Sequence, residues 1–227
     1  MPRRPLAIDL CCGLGGWAEG LLASGYDVIG FDIERHEYGE HRYPATLVIQ
    51  DMLTLHGSQL RDAALIVASP PCQFFSYTSL PWSKAKALAA EVRADEARLA
   101  KELALFQACF RLQREACAAT GRHVPLIVEN VRGAIPWVGR SRWNFGSYHL
   151  WGDVPALMPI TLGRGGNPSE GRKGAGAGAA WFDANLCQLP SASLRRKEAS
   201  ALIAKIPLPL ALHIAQVFKQ SECAHAA

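Results

Sequence analysis

Two apolar runs in this 227-residue chain end in residues whose types can do chemistry. Ala63-Ala64-Leu65-Ile66-Val67-Ala68 leads into Ser69-Pro70-Pro71-Cys72-Gln73. Two prolines fix the backbone there, so the thiol is presented at the mouth of a sheet and not within it. The run Pro125-Leu126-Ile127-Val128 leads into Glu129-Asn130-Val131 in the same manner. A thiol and a carboxyl, each at the tip of a predicted strand, point to covalent chemistry on a polar substrate.

The elements that must hold them are legible in outline. Leu6 to Leu10 reads as a short buried strand, followed by the turn Gly13-Leu14-Gly15-Gly16 and a helix from Trp17 to Ala23 capped by Gly25. Tyr26–Phe31, Leu47–Gln50 and Leu65–Ala68 read as further strands, with Asp32 and Asp51 closing the first two. Strands joined by short helices and loops imply an α/β fold with a doubly wound, mostly parallel sheet. Ser83 to Ala119 reads as one long helix whose Leu88, Val92, Leu99, Leu103, Phe106 and Phe110 form a buried stripe. Its carboxylates Glu91, Asp95, Glu96 and Glu102 then belong to a solvated face, and Cys109 and Cys117 to the packing. A strand is expected around Ser147–Trp151, a mobile Gly/Ala-rich loop over residues 163–180, and a helix in two parts from Leu194 to Lys219 around Pro207 and Pro209.

Composition bounds the class. The length suits one α/β domain with a substantial core. No apolar run has the length of a membrane span, and no signal-like segment follows the basic start, so no membrane partner is expected and a cytoplasmic location is the default. Twenty-four Lys and Arg against 20 Asp and Glu permit a phosphate-bearing partner without demanding one. Seven cysteines with no C-x-x-C spacing fit reduced thiols, not a disulfide framework or a metal site.

A strand, a glycine turn and a helix place backbone N–H groups against a ligand at the carboxyl end of the sheet. Asp32, about twenty residues past the turn, can accept both hydroxyls of a ribose. Ile33 can pack on a purine face, and Asp51 can accept a bond from an exocyclic amine. Together they indicate a nucleoside ligand. The third glycine of G-x-G-x-x-G is absent, with Ala18 in its place, which disfavours a dinucleotide.

These residues resemble the DNA (cytosine-5) methyltransferases, which use S-adenosylmethionine. Asp9-Leu10-Cys11-Cys12-Gly13-Leu14-Gly15-Gly16-Trp17 resembles the family's first motif, and Phe31-Asp32-Ile33-Glu34 and Gln50-Asp51-Met52 the next two. Pro70-Pro71-Cys72-Gln73-Phe74-Phe75-Ser76 looks like the nucleophile motif, and Glu129-Asn130-Val131 matches Glu-Asn-Val. All five fall in the family's order over residues 6 to 131. The resemblance implies a class I methyltransferase (Rossmann-like) fold with a cofactor site of Cys11, Gly13, Gly15, Gly16, Trp17, Asp32, Ile33, Asp51 and Met52. Cys11 stands where the family often has a phenylalanine against the cofactor.

It further implies Cys72 as nucleophile and Glu129, with a raised pKa, as the acid on the cytosine ring. Nearby cationic groups are expected to favour the Cys72 thiolate. Arg140 or Arg142 would stabilise charge on the ring oxygen, and loop arginines touching phosphates are the alternative. Pro71, Gln73, Ser76 and Asn130 would contact the substrate, with Lys84 or Lys86 reaching phosphates. The implied partner is double-stranded DNA with its target base flipped out. Restriction-modification is one implied setting.

The chain departs from the family in two places. The C-terminal Gly-Asn-Ser segment that closes over the cofactor is absent, and Ala204-Lys205-Ile206-Pro207-Leu208-Pro209 is the candidate replacement. The expected organisation is a catalytic unit of residues 1–154 plus 194–227. Residues 155–193 would be a small or vestigial target-recognition segment. That leaves room for a partner protein that supplies recognition. RNA cytosine as substrate, an idle nucleic-acid-binding relative and a dinucleotide-dependent oxidoreductase are the competing readings. Pro-Pro-Cys-Gln serves no hydride chemistry, which opposes the last.

Overall fold

The computed structural model describes residues 3–76, 81–158 and 195–225. Strand β1 (Leu6–Leu10) leads through helix α1 (Gly16–Ala23) to β2 (Asp27–Asp32). A small hairpin of β3 (Glu37–Tyr38) and β4 (His41–Arg42) precedes β5 (Thr46–Ile49). Two 3-10 turns, Met52–Thr54 and Gly57–Leu60, lead to β6 (Ala63–Ala68). Then come α2 (Trp82–Ala94), α3 (Glu96–Thr120), β7 (Leu126–Val131), α4 (Ile135–Val138), β8 (Trp143–Phe145) and β9 (Tyr148–Gly152). Helices α5 (Arg196–Ala204) and α6 (Leu208–His225) complete the described chain.

Seven strands form one sheet in the order β5-β2-β1-β6-β7-β9-β8. From β5 to β7 every pairing is parallel, while β9 pairs antiparallel with both β7 and β8. This is the expected doubly wound, mostly parallel, Rossmann-like α/β sheet. Side chains alternate between its faces, as the period of two requires. Ala7, Leu65, Val67 and Ile127 pack with α1 and α6 on one side. Ile8, Ile66, Ala68, Leu126 and Val128 pack with α3 on the other. Burial on both faces explains why the central strands read as unbroken apolar runs.

The chain proceeds from β1 outward to β2 and β5, then returns to the other side of β1 with β6 and β7. The carboxyl ends of β1 and β6 therefore flank the switch point, where open α/β sheets place ligands. The glycine turn follows one and Ser69-Pro70-Pro71-Cys72 the other.

Several expectations change in detail. The single helix over Ser83–Ala119 is two helices, because Asp95 adopts an extended conformation and its carboxylate accepts a hydrogen bond from Arg98 N at 2.9 Å. That N-cap starts α3, and the stripe continues across the break with Val92, Leu103 and Phe106 buried. The expected strand near Ser147–Trp151 is β9, running antiparallel at the sheet's far side. The β3–β4 hairpin and β8 had no period-two signal, being two or three residues long. Cys109 is fully buried, and Cys117 Sγ accepts a bond from Val124 N, so both are structural as expected. The expected glycine-rich loop at 163–180, and most of the expected segment 155–193, lie outside the described residues.

Candidate active site

A cavity of about 640 Å³ opens at the switch point. Of the expected cofactor residues, Cys11, Gly13, Gly16, Trp17, Asp32, Ile33 and Met52 line it. Cys11 adopts φ +54°, unusual for a residue with a Cβ, and its thiol lies 3.3 Å from the Met52 sulfur. Gly15 follows at φ +77° as the N-cap of α1. Asp32 accepts hydrogen bonds from Gly13 N at 2.9 Å and from Ile33 N at 2.8 Å. The carboxylate at the end of β2 thus fixes the turn at the end of β1, with lone pairs remaining for a ligand.

Two of the expected cofactor residues are not among those lining the cavity. Asp51 does not line the cavity; its carboxylate accepts a bond from Leu53 N at 2.9 Å and caps the following 3-10 turn. Gly15 also lies outside the lining, because the turn rests on Tyr43 and Pro44. Tyr43 is buried and donates to the fully buried Asp9 at 3.2 Å. It anchors the glycine turn from below.

Residues 204–209 were the candidate to close over the cofactor, and the first three of them reach the cavity. Ala204, Lys205 and Ile206 line the cavity, as do Lys197, Ser200 and Ala201 of α5. Lys205 Nζ donates to Glu19 of α1 at 2.6 Å. Gly16 makes this closure feasible, since a Cβ there would stand 2.4 Å from Ile206 N. Gly16→Ala must push backbone away from backbone. A loss of about 1–3 kcal/mol is expected, read as a lower denaturation midpoint. A midpoint equal to wild type would contradict the close approach.

The second half of the site lies beyond β6. Pro70 is buried and Cys72 partly buried. Three anchors hold this turn. Asn130 Nδ2 donates to Pro70 O at 2.8 Å, the hydroxyl of Ser76 donates to Cys72 O at 2.9 Å, and Phe75 is buried against Phe106. Asn130 is 1% exposed, and its side chain holds the turn. Ser76 is likewise occupied with Cys72.

Glu129 sits on β7, 8% exposed. Burial raises its pKa to about 8, against a hydrogen bond from Ser69 that lowers it. It therefore holds a proton at neutral pH, as the sequence predicted. The Cys72 thiol is pushed up by burial first and by the Glu129 charge second, with a hydrogen bond to Ser76 opposing both. The net shift is upward, against the expectation that cationic neighbours favour the thiolate.

Ser69, which the sequence reading passed over, joins the two halves. It accepts from Trp17 Nε1 at 3.0 Å, bonds Glu129 and lines the cavity. Pro71 and Gln73 line it too, whereas Cys72 and Glu129 do not. Cys72 and Glu129 therefore stand beside the ligand cavity, whose edge here is formed by Ser69, Pro71 and Gln73. Arg140 and Arg142 are exposed, lie between α4 and β8, and are not in the cavity lining; Arg142 N donates to Leu150 O at 2.9 Å.

With this geometry in place, comparison with known proteins narrows the reading. Residues 6–86 match the C-5 cytosine-specific DNA methylase family. The glycine turn, Asp32, Asp51 and Cys72 fall within the match, and Glu129, Asn130 and both arginines beyond it. No curated protein matches the chain. Among solved structures, a candidate DNA modification methyltransferase encoded within an E. coli prophage is 24% identical, with a TM-score of 0.38, over 58% of this chain and 33% of that one. The Dnmt2 methyltransferase of S. pombe is 16% identical, TM-score 0.36, over 60% of this chain and 37% of that one. The Entamoeba histolytica methyltransferase EhMeth is 16% identical, TM-score 0.37, over 60% and 41%. The chain spans between a third and about two fifths of the length of these three proteins.

Proposed function

We propose that this chain transfers a methyl group from S-adenosylmethionine to carbon 5 of cytosine in DNA, through a transient Cys72 adduct at carbon 6. One observation carries the reading. Beside a nucleoside-sized cavity, a fixed, partly buried thiol lies near enough to a buried carboxyl to feel its charge, and that carboxyl keeps its proton to about pH 8. The family match over residues 6–86 supports the same chemistry.

The cavity suits the donor. Gly13 and Gly16 bring backbone close, Asp32 is available to the ribose hydroxyls, and Ile33, 70% exposed, offers an apolar face to a purine. When bound there, S-adenosylmethionine supplies an electrophilic methyl group. The protein's own part is to make carbon 5 nucleophilic. The Cys72 thiolate forms a bond to carbon 6, and the ring electrons move toward nitrogen 3. The Glu129 proton stabilises the charge that develops there. After carbon 5 is methylated, a base removes its proton and the Cys72–carbon 6 bond breaks. Arg140 or Arg142 is assigned to the ring oxygen on the resemblance alone. Carbon 6 is inaccessible in a stacked duplex, so the base must leave the helix, at a cost of a few kcal/mol.

The test is methyl transfer from labelled S-adenosylmethionine to duplex DNA and to RNA, followed by bisulfite sequencing of DNA from cells expressing the chain. Label in DNA at protected cytosines is the expected result. Label in RNA alone would change the substrate, and label in neither would remove the activity from this chain.

A further inference from the structure

Among the described residues, the cavity wall contributed by α5 has few anchors for an element so central to the site. The helix has nine residues, a length that is marginal without support. Of its described side chains only Ala199 is buried. Lys197, Ser200, Ala201 and Ala204 recur at three- and four-residue spacing and form the face that lines the cavity. The wall gains little from hydrophobic burial of its own.

Among the described residues, two polar tethers hold it, beside the close approach of Ile206 to Gly16. Lys205 reaches Glu19 on α1. At the other side, the Tyr148 hydroxyl lies 3.2 Å from both Ile203 O and Lys205 O and donates its single proton between them. These are carbonyls at the helix C-terminus, which have no intrahelical partner. Tyr148 is 7% exposed and opens β9, directly opposite Val131 of β7, two residues from Glu129. Burial raises the pKa of its phenol, and the charges of Glu129 and Cys72 raise it further.

We propose that Tyr148 is a positioning residue for the donor: it hangs the α5 wall on the strand that runs beside Glu129, so the donor cavity is complete only while that tether is made. This rests on the methyl-transfer reading for the donor's identity. The tether itself is a property of the chain alone.

Tyr148→Phe keeps the ring and removes only the proton donor. Its dissociation constant for S-adenosylmethionine, measured by calorimetry, should rise roughly three- to tenfold, the worth of one hydrogen bond. At saturating donor kcat should stay within about twofold of wild type, since the reacting groups keep their places. A merely structural role would lower kcat and the affinity together. Amide exchange at residues 203–206 should quicken in the variant without any ligand. Glu19→Gln loosens the same wall from its other side and should weaken donor binding likewise, which preserves the test if the tyrosine variant misfolds. Unchanged donor affinity in a folded Tyr148→Phe, or unchanged exchange at residues 203–206, overturns the proposal. If the wild-type chain binds no S-adenosylmethionine, the methyl-transfer reading fails instead, and the exchange measurement still decides the tether.

Discussion

Cys72→Ser should lower methyl transfer by about three orders of magnitude or more, the scale seen when a covalent nucleophile is removed. A serine alkoxide is far harder to generate than a thiolate, and nothing at this turn would generate it. Cys72 is outside the cavity lining, so donor affinity should be unchanged. The diagnostic form of the experiment uses DNA containing 5-fluorocytosine. Fluorine at carbon 5 cannot leave as the proton does, so wild-type protein should remain covalently attached. The serine variant should form no adduct. An adduct from the serine variant would assign the nucleophile to another residue.

The second large effect has opposite signs for activity and stability. A carboxyl with an ordinary value of 4.5 in the unfolded chain and about 8 in the folded one is bound to its proton more tightly when folded. The native state therefore holds the extra proton between those two values, and stability falls as pH rises through that window. Glu129→Gln replaces the acid with a group that never ionises. The variant should match wild type in stability near pH 4 and exceed it by a few kcal/mol at pH 9, as read by denaturant unfolding at both. Its rate of methyl transfer should nevertheless fall by about a hundredfold or more, the usual contribution of a positioned acid. The pH profile of kcat/KM in wild type should rise with thiolate formation and fall as Glu129 ionises. With the thiol also shifted upward, the maximum should lie above pH 8. A glutamine variant that retains the descending limb would show that another group causes it. One with no stability gain at pH 9 would contradict the burial of the charge.

The sheet and its two chemical tips could be read in advance because each depends on local information. Leu65-Ile66-Val67-Ala68 and Leu126-Ile127-Val128 are apolar on both faces, as buried parallel strands must be, and prolines or polar residues mark where they end. Glycine spacing showed the turn, and Asp32 its partner. Most boundaries moved by one or two residues, but β7 runs on through Glu129 and Asn130 to Val131, where β9 pairs with it, and α6 runs past Lys219 to His225. The helix break at Asp95 was misread because Ala94-Asp95-Glu96 carries no glycine or proline, and an Asp that caps a helix resembles one on its exposed face.

Spacing along the chain singled out the candidate groups: the thiol of Cys72, the carboxyl of Glu129 and the carboxylate of Asp32. Tertiary structure decided how they are set. Asn130 proves to hold Pro70, Asp51 to cap its own turn, and Ser69 to link Trp17 with Glu129. It also brought residues 197–206 across the glycine turn and hung them from Tyr148 and Glu19. The difference is physical. A strand-end motif is a property of neighbours in sequence, whereas burial, which sets both pKa shifts, and pairings over 55 or 186 positions arise only when distant segments meet.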